Sequence, residues 1–384
     1  MTESICLLSI VIVAYAYAIY PAVVWLLSRR SVQASIECPV EATTLPTAVI
    51  LVAAHNEQAW IGERIANALA VDYPAELLKV VIASDGSEDQ TNEIVKQWAA
   101  SEGRVELLAF PIRRGKAATI NDAMSRIDAE IVLFSDANTM YEATSVKKLI
   151  AWFADASIGV VCGRLVLHDA ERGRNIDSLY WRYETFIKKC EAKLGGLLGA
   201  NGAIYAMRRS LYRPIPNNTI IDDFVIPLLA KLHCDCQIVY ESSAVAHEET
   251  APSIGDEFRR RSRIGAGGYQ SLTVLWPLLR PKYGWTAFTF WNHKVLRWFV
   301  PAFLVMAFVT NVILWKSSPF QWLLGAQIGF YSLAMAGLWI GGQGRMAKLA
   351  RAAGLFCSMN VALAVGFWQW LFVRQRGTWR RTAR

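Results

Sequence analysis

Neither of the common phosphate-cradling signatures occurs in this sequence. There is no G-x-x-x-x-G-K-[ST] run and no G-x-G-x-x-G behind a strand-like segment, which excludes a P-loop and a dinucleotide-binding βαβ unit. A disulfide architecture is missing as well, because the seven cysteines stand at irregular spacing and no framework can be read from them. His233-Cys234-Asp235-Cys236 lacks a second ligand pair at zinc spacing, so it reads as thiols buried beside a strand. Internal repeats, low-complexity tracts and nucleic-acid modules are absent too. The net charge of +8 then points to phosphate-bearing substrates and an anionic membrane surface, and not to nucleic acid.

What the sequence has in abundance is apolar length. Ile5–Leu27, Val295–Trp315, Phe320–Ile340 and Leu355–Val373 are long apolar runs, each near the ~20 residues that cross a bilayer. The first has no basic residue ahead of it and no small-X-small cleavage site, so it reads as a retained anchor and not a signal peptide. Arg29 and Arg30 place its carboxyl end in the cytoplasm. The expected organisation is an anchor over 1–30, a cytoplasmic domain over 45–255, an interfacial segment over 256–293 and a transmembrane region over 294–384. The expected location is integral to the cell or inner membrane.

Topology contains a conflict. Four crossings that start outside leave the carboxyl tail outside, yet that tail holds Arg374, Arg376, Arg380, Arg381 and Arg384, which the positive-inside tendency assigns to the cytoplasm. Four spans are the favoured reading. A seam of polar residues across the spans would include Asn311, Gln321, Gln327, Asn360 and Gln369.

The polar stretch between the first two runs alternates strands and helices. Strands are expected at Thr47–Ala54, Leu78–Ala83, Val105–Ala109 and Ile131–Ser135, with helices at Glu57–Leu69, Glu93–Ala100 and Ala117–Ser125. Later strands are expected at Val160–Leu167, Ala203–Met207 and Cys236–Tyr240, and an amphipathic helix at Asn175–Leu194. Glu257–Arg263 is basic and precedes a Gly-rich turn, Gly265-Ala266-Gly267-Gly268. This order implies right-handed βαβ units and an α/β fold with a mostly parallel sheet.

Polar residues recur where those strands end. His55-Asn56-Glu57 follows the first strand, Asp85-Gly86-Ser87 the second, Gly115-Lys116 the third, and Asp136-Ala137-Asn138 the fourth. In a parallel sheet all four would lie along the carboxyl edge, where open α/β sheets bind ligands. Each piece alone is also a common turn or helix cap.

Taken in order, the pieces resemble the family 2 glycosyltransferases, the inverting group that includes cellulose, chitin and hyaluronan synthases. The matching runs are Val52-Ala53-Ala54-His55-Asn56-Glu57, Ser84-Asp85-Gly86-Ser87, Gly115-Lys116-Ala117-Ala118, Phe134-Ser135-Asp136-Ala137-Asn138, Gly199-Ala200-Asn201-Gly202 and Ile221-Asp222-Asp223-Phe224. The resemblance implies a nucleotide-sugar-binding sheet of the glycosyltransferase A type. It also implies roles for single residues. Ala54, His55, Glu57 and Asp85 would receive the nucleoside, with Lys116 near the nucleotide. Asp136 and Asn138 would hold Mg²⁺ or Mn²⁺, a hard ion suited to oxygen ligands. Asp223 would be the general base, with Asp222 as the alternative. The Gln-X-X-Arg-Trp motif of processive synthases corresponds to Arg260-Arg261-Ser262-Arg263-Ile264. Arg263 keeps the cation that would neutralise a diphosphate, while Arg260 and Ile264 depart from the pattern.

The function expected from this resemblance is transfer of a sugar from a UDP-sugar to a growing polysaccharide or glycan, with export left to partner proteins. The alternative is a lipid glycosyltransferase with a ceramide-like or polyprenyl-phosphate acceptor. A non-catalytic transferase-like scaffold is the remaining class, and it would have no use for both Asp136 and Asp223.

Overall fold

The structure, a computed structural model, describes residues 1–30, 45–168, 179–249, 254–337, 339 and 344–373. The chain divides into two compact units. Met1–Arg29, Ser253–Gln270 and Phe288–Arg374 form one, while Arg30–Pro252, Ser271–Ala287 and Gln375–Arg384 form the other.

The second unit is built on one eight-stranded sheet. Its strands are β1 (Ala48–Ala54), β2 (Leu78–Asp85), β3 (Val105–Phe110), β4 (Ile131–Asp136), β5 (Met140–Tyr141), β6 (Ile158–His168), β7 (Tyr205–Arg208) and β8 (Gln237–Glu249). The order across the sheet is β3-β2-β1-β4-β7-β6-β8-β5. β1 reads Ala-Val-Ile-Leu-Val-Ala-Ala and is buried at every position, as a strand covered on both faces must be. The first four strands are mutually parallel, so their carboxyl ends share one edge as expected. β4 is the seam: β7 pairs with it antiparallel, and β6 pairs antiparallel with β7 but parallel with β8.

Differences from the expected elements have local causes. The first helix of this unit begins at Ile61 instead of Glu57, because Asn56 sits at φ 56°, a left-handed conformation that cannot open a helix. β6 and β8 run longer than expected, pairing out to His168 and Glu249. The aromatic helix is described over Leu179–Lys193, and residues 175–178 lie outside the described residues. All six described cysteines are free, and Cys236 is buried just before β8.

Among the described residues, three helices, lying chiefly in the other unit, are long and apolar enough to cross a membrane: Thr2–Ser28, Trp285–Ile313 and Arg345–Phe372. Ser318–Gly337 is a fourth helix of 20 residues without a charge, but Gln321 and Gln327 lower its hydropathy and it falls short of the other three. The arginines of the carboxyl tail lie outside the described residues.

Polar side chains inside this unit find one another. The Tyr15 hydroxyl donates to Asn292 Oδ1 at 2.8 Å, each residue standing in a π-helical stretch of its helix. The Asn311 and Gln327 side chains meet at 2.7 Å, and the Tyr17 hydroxyl reaches Asn360 Oδ1 at 3.4 Å. Gly265–Gly268 is not a turn but the interior of the helix Ile254–Leu275. A Cβ on Gly268 would come within 2.7 Å of the Trp298 ring, and one on Gly366 within 2.7 Å of Ser262 O. These glycines are there for close helix approach.

Candidate active site

The loops after β1 and β2 are laced together. The amide of Asn56 donates to Ser87 Oγ at 3.1 Å, and Glu88 N donates to Asn56 Oδ1 at 2.8 Å. Glu57 N donates to Thr91 Oγ1 at 2.8 Å, and Gln58 N to Asp89 Oδ2 at 3.1 Å. His55 Nδ1 lies 2.7 Å from Asp85 O, and Ala54 closes β1 within the core. Asp85 itself is fully buried. Its two carboxylate oxygens accept from Arg114 N at 2.7 Å and Gly115 N at 2.8 Å. The acid thereby fixes the loop that delivers Lys116. Gly86, at φ 60°, lets this loop pass, since a Cβ there would meet Arg113 N at 2.6 Å.

Lys116 stands at the amino end of its helix (Lys116–Met124) and joins two of the candidate acids. Its ammonium donates to Asp136 Oδ1 at 2.8 Å and lies 3.3 Å from Asp222 Oδ2. Burial works against the charged lysine, but Asp136, Asp222 and Asp223 outweigh it and hold its pKa above the ordinary value. Two carboxylates thus pair with one ammonium and a third adds its charge nearby, a deficit of positive charge that suits a further cation.

Among the described residues, no group of three His, Cys, Asp or Glu side chains is arranged to hold a metal ion. The fit rests instead on the strand end. Asp136 is a partly exposed carboxylate, and two residues on, Asn138 has a buried side-chain nitrogen with no hydrogen-bond partner among the described residues. That amide has an oxygen to offer a cation and N–H groups to offer an anionic oxygen.

Asp223 is positioned from below by the loop before β7. Gly202 N donates to Asp223 Oδ2 at 3.0 Å, and Ala200 N donates to Asp223 O at 2.9 Å. A Cβ on Gly202 would press on Asp223 Oδ2 at 3.3 Å. Burial, reinforced by the neighbouring Asp222, pushes the Asp223 carboxyl up to about 6, while Lys116 acts in the opposite direction. Of the adjacent pair, Asp222 is engaged by the lysine and Asp223 carries a pKa near the range a general base needs.

Several contributors are not legible as site residues in the sequence. Arg64 is fully buried, stacks on the Tyr141 ring at 4.4 Å and donates to Ser135 Oγ at 3.3 Å, bracing the end of β4. Lys188 donates to Asn201 Oδ1 at 2.8 Å, and Asn201 Nδ2 donates to Gly163 O at 2.7 Å, anchoring the loop under Asp223. Their neighbours include further charged residues, Glu63 beside Arg64 and Lys189 beside Lys188, so the sequence does not single them out. Arg260 and Arg263 stand on the helix Ile254–Leu275, in the unit that carries the apolar helices. Arg260 lies 3.7 Å from Glu257.

The family model for glycosyl transferase family 2 matches residues 49–215. An N-acetylglucosaminyltransferase of Rhizobium leguminosarum bv. trifolii is 31% identical over 133 residues, covering 34% of this chain and 72% of the relative. The poly-β-1,6-N-acetyl-D-glucosamine synthase of Staphylococcus epidermidis is 24% identical over 246 residues, or 60% of this chain and 57% of the synthase. A β-monoglucosyldiacylglycerol synthase of Trichormus variabilis is 24% identical over 250 residues, 62% of this chain and 52% of that enzyme. The chain therefore spans little more than half the length of these two synthases. Among solved structures, a mannosyltransferase of Pyrobaculum calidifontis in complex with GDP-Man and Mn²⁺ superposes with a TM-score of 0.73 at 19% identity. That likeness covers 97% of this chain and 99% of the other, and it identifies the fold. With the family model on the strand-end motifs and the rhizobial relative covered over most of its length, this chain belongs to glycosyl transferase family 2.

Proposed function

We propose that the protein is a membrane-bound inverting glycosyltransferase that moves a sugar from a UDP-sugar to a glycan acceptor, its sheet domain on the cytoplasmic side. The observation that carries this reading is the grouping of Asp136 and Asp223 around one lysine. Asp136 pairs with Lys116 at 2.8 Å, while the Asp223 carboxyl, on which the same lysine acts, is pushed up to about 6. In this reading Asp223 takes the proton from the attacking hydroxyl, a contribution of roughly 10²–10⁴-fold. Attack from the face opposite the departing diphosphate inverts the anomeric carbon. His55, Glu57 and the laced loops at 55–58 and 85–91 form the floor for the nucleoside.

A divalent Mg²⁺ or Mn²⁺, held by Asp136 and the Asn138 oxygen, would supply charge stabilisation for the leaving diphosphate. The remaining ligands of such an ion would come from the donor and solvent. Removing divalent ions with EDTA is expected to abolish transfer and Mn²⁺ to restore it. Full activity in EDTA would remove Asp136 and Asn138 as metal ligands.

A lipid acceptor is the second reading. It is favoured by Arg260 and Ile264, which stand where processive synthases have the glutamine and tryptophan of their motif. Membranes containing the full chain, supplied with radiolabelled UDP-sugars, separate the two. Labelled material of high mass supports the glycan acceptor, and a single-sugar product in the organic phase supports the lipid. No transfer from any UDP-sugar would sink both.

A further inference from the structure

Beside the loop that positions Asp223 lies a groove of about 300 Å³. One wall is the far half of β6, with Arg164 and Leu167. The other is the helix Leu179–Lys193, with Trp181, Arg182, Phe186 and Lys189. Arg182, Phe186 and Lys189 fall at i, i+4 and i+7, so they share one helix face. Phe186 is 42% exposed, an unusual position for a phenylalanine in a polar surface. Arg164, Arg182 and Lys189 make no ion pair with a carboxylate among the described residues. Three cations and two aromatic rings around one concavity call for a ligand with an anionic group and an apolar or sugar face.

Both walls touch the catalytic loop through their next residue. Gly163, beside Arg164, accepts from Asn201 Nδ2 at 2.7 Å, and Lys188, beside Lys189, donates to Asn201 Oδ1 at 2.8 Å. Asn201 in turn precedes Gly202, which holds Asp223. Each wall of the groove is therefore one residue along the chain from a group that holds Asn201.

We propose that this groove is the acceptor subsite and takes a phosphate-bearing acceptor. The phosphate sits among Arg164, Arg182 and Lys189, and the adjoining chain or sugar rests on Trp181 and Phe186. This assignment depends on the transferase reading above and narrows its acceptor to one carrying a phosphate ester. The recognised chemistry is the same whether that ester belongs to a soluble sugar phosphate or to a lipid headgroup.

The test uses the full chain in nanodiscs and two independent titrations. The first follows UDP binding. The second follows phosphate-ester binding, with glycerol 3-phosphate as the soluble probe and phosphatidylglycerol incorporated in the disc as the lipid probe. In the triple variant Arg164→Gln, Arg182→Gln, Lys189→Gln, ester binding is expected to weaken on the order of tenfold or more while UDP binding stays unchanged. Wild-type ester binding should also fall as salt is added. Loss with only one probe identifies the source of the ester. Unchanged binding of both probes in the variant, or no binding of either by the wild type, overturns the subsite. If the triple variant also loses UDP binding, Lys189→Gln at its exposed position decides by the same two titrations, with a smaller loss expected for the ester alone. Wild-type protein that binds esters but no UDP would instead count against the transferase reading.

Discussion

Asp223 and Lys116 set the chemistry at the scale of single residues. A base must be ionised to accept a proton, so kcat/KM should fall as pH drops through about 6, the value to which burial and Asp222 push the Asp223 carboxyl. Asp223→Asn is expected to lower kcat by roughly 10²–10⁴-fold and to leave UDP affinity near the wild-type value. Turnover close to wild type would exclude Asp223 as base. Lys116 lowers the Asp223 pKa, so Lys116→Met should move the acid limb of the profile to higher pH. A limb that stays in place would show that the lysine does not influence the base in solution. The sequence placed each of these side chains at a strand or helix end but left open what they do to one another. That two acids from β4 and from the helix after residue 221 would meet on one lysine depends on contacts between segments about ninety residues apart, and no local pattern encodes it.

Between elements, the critical joints are backbone ones. Gly86 stands at φ 60°, and a side chain there would collide with the 112–113 backbone. Gly86→Ala should therefore cost about 1–3 kcal/mol of stability in urea titrations and weaken UDP binding, because Asp85 and the 113–115 loop shift together. Unaltered stability would mean that this loop crossing relaxes freely. β1, β2 and β4 were legible because strands buried on both faces must be nearly continuous apolar runs. The true start of the helix at Ile61 was not, since the left-handed turn at Asn56 depends on Ser87 and Glu88 from another loop. Residues 265–268 carry the same lesson. Four consecutive small residues read as a turn until the Trp298 ring is known to lie against Gly268.

For the whole molecule, three helices among the described residues are long and apolar enough to cross a membrane, and Ser318–Gly337 falls short of them. Hydropathy is summed along a helix, so Gln321 and Gln327 make Ser318–Gly337 look marginal. Yet Gln327 meets Asn311 within the same unit, where a paired amide costs less than a lone one. Periodicity reveals an element but not its place in the sheet order, and the antiparallel insertion of β7 between β4 and β6 was the part of the fold least legible in sequence.

That insertion has a consequence for biosynthesis. By the time residue 142 has left the ribosome, β3, β2, β1 and β4 can already be assembled, since their pairings fall within residues 48–136. The outer rim of β4, Ile131-Val132-Leu133-Phe134, then waits for Tyr205–Arg208. At ~5–20 residues per second that wait lasts several seconds, during which an apolar strand edge stands open to other chains. Nascent chains arrested before residue 205 should accordingly aggregate or recruit chaperones, and chains arrested once residues 205–208 have cleared the exit tunnel should not. Equal solubility of the two would show that another segment shields β4 in the meantime. The strand that carries Asp136 would then be the most vulnerable part of the protein while it is being made.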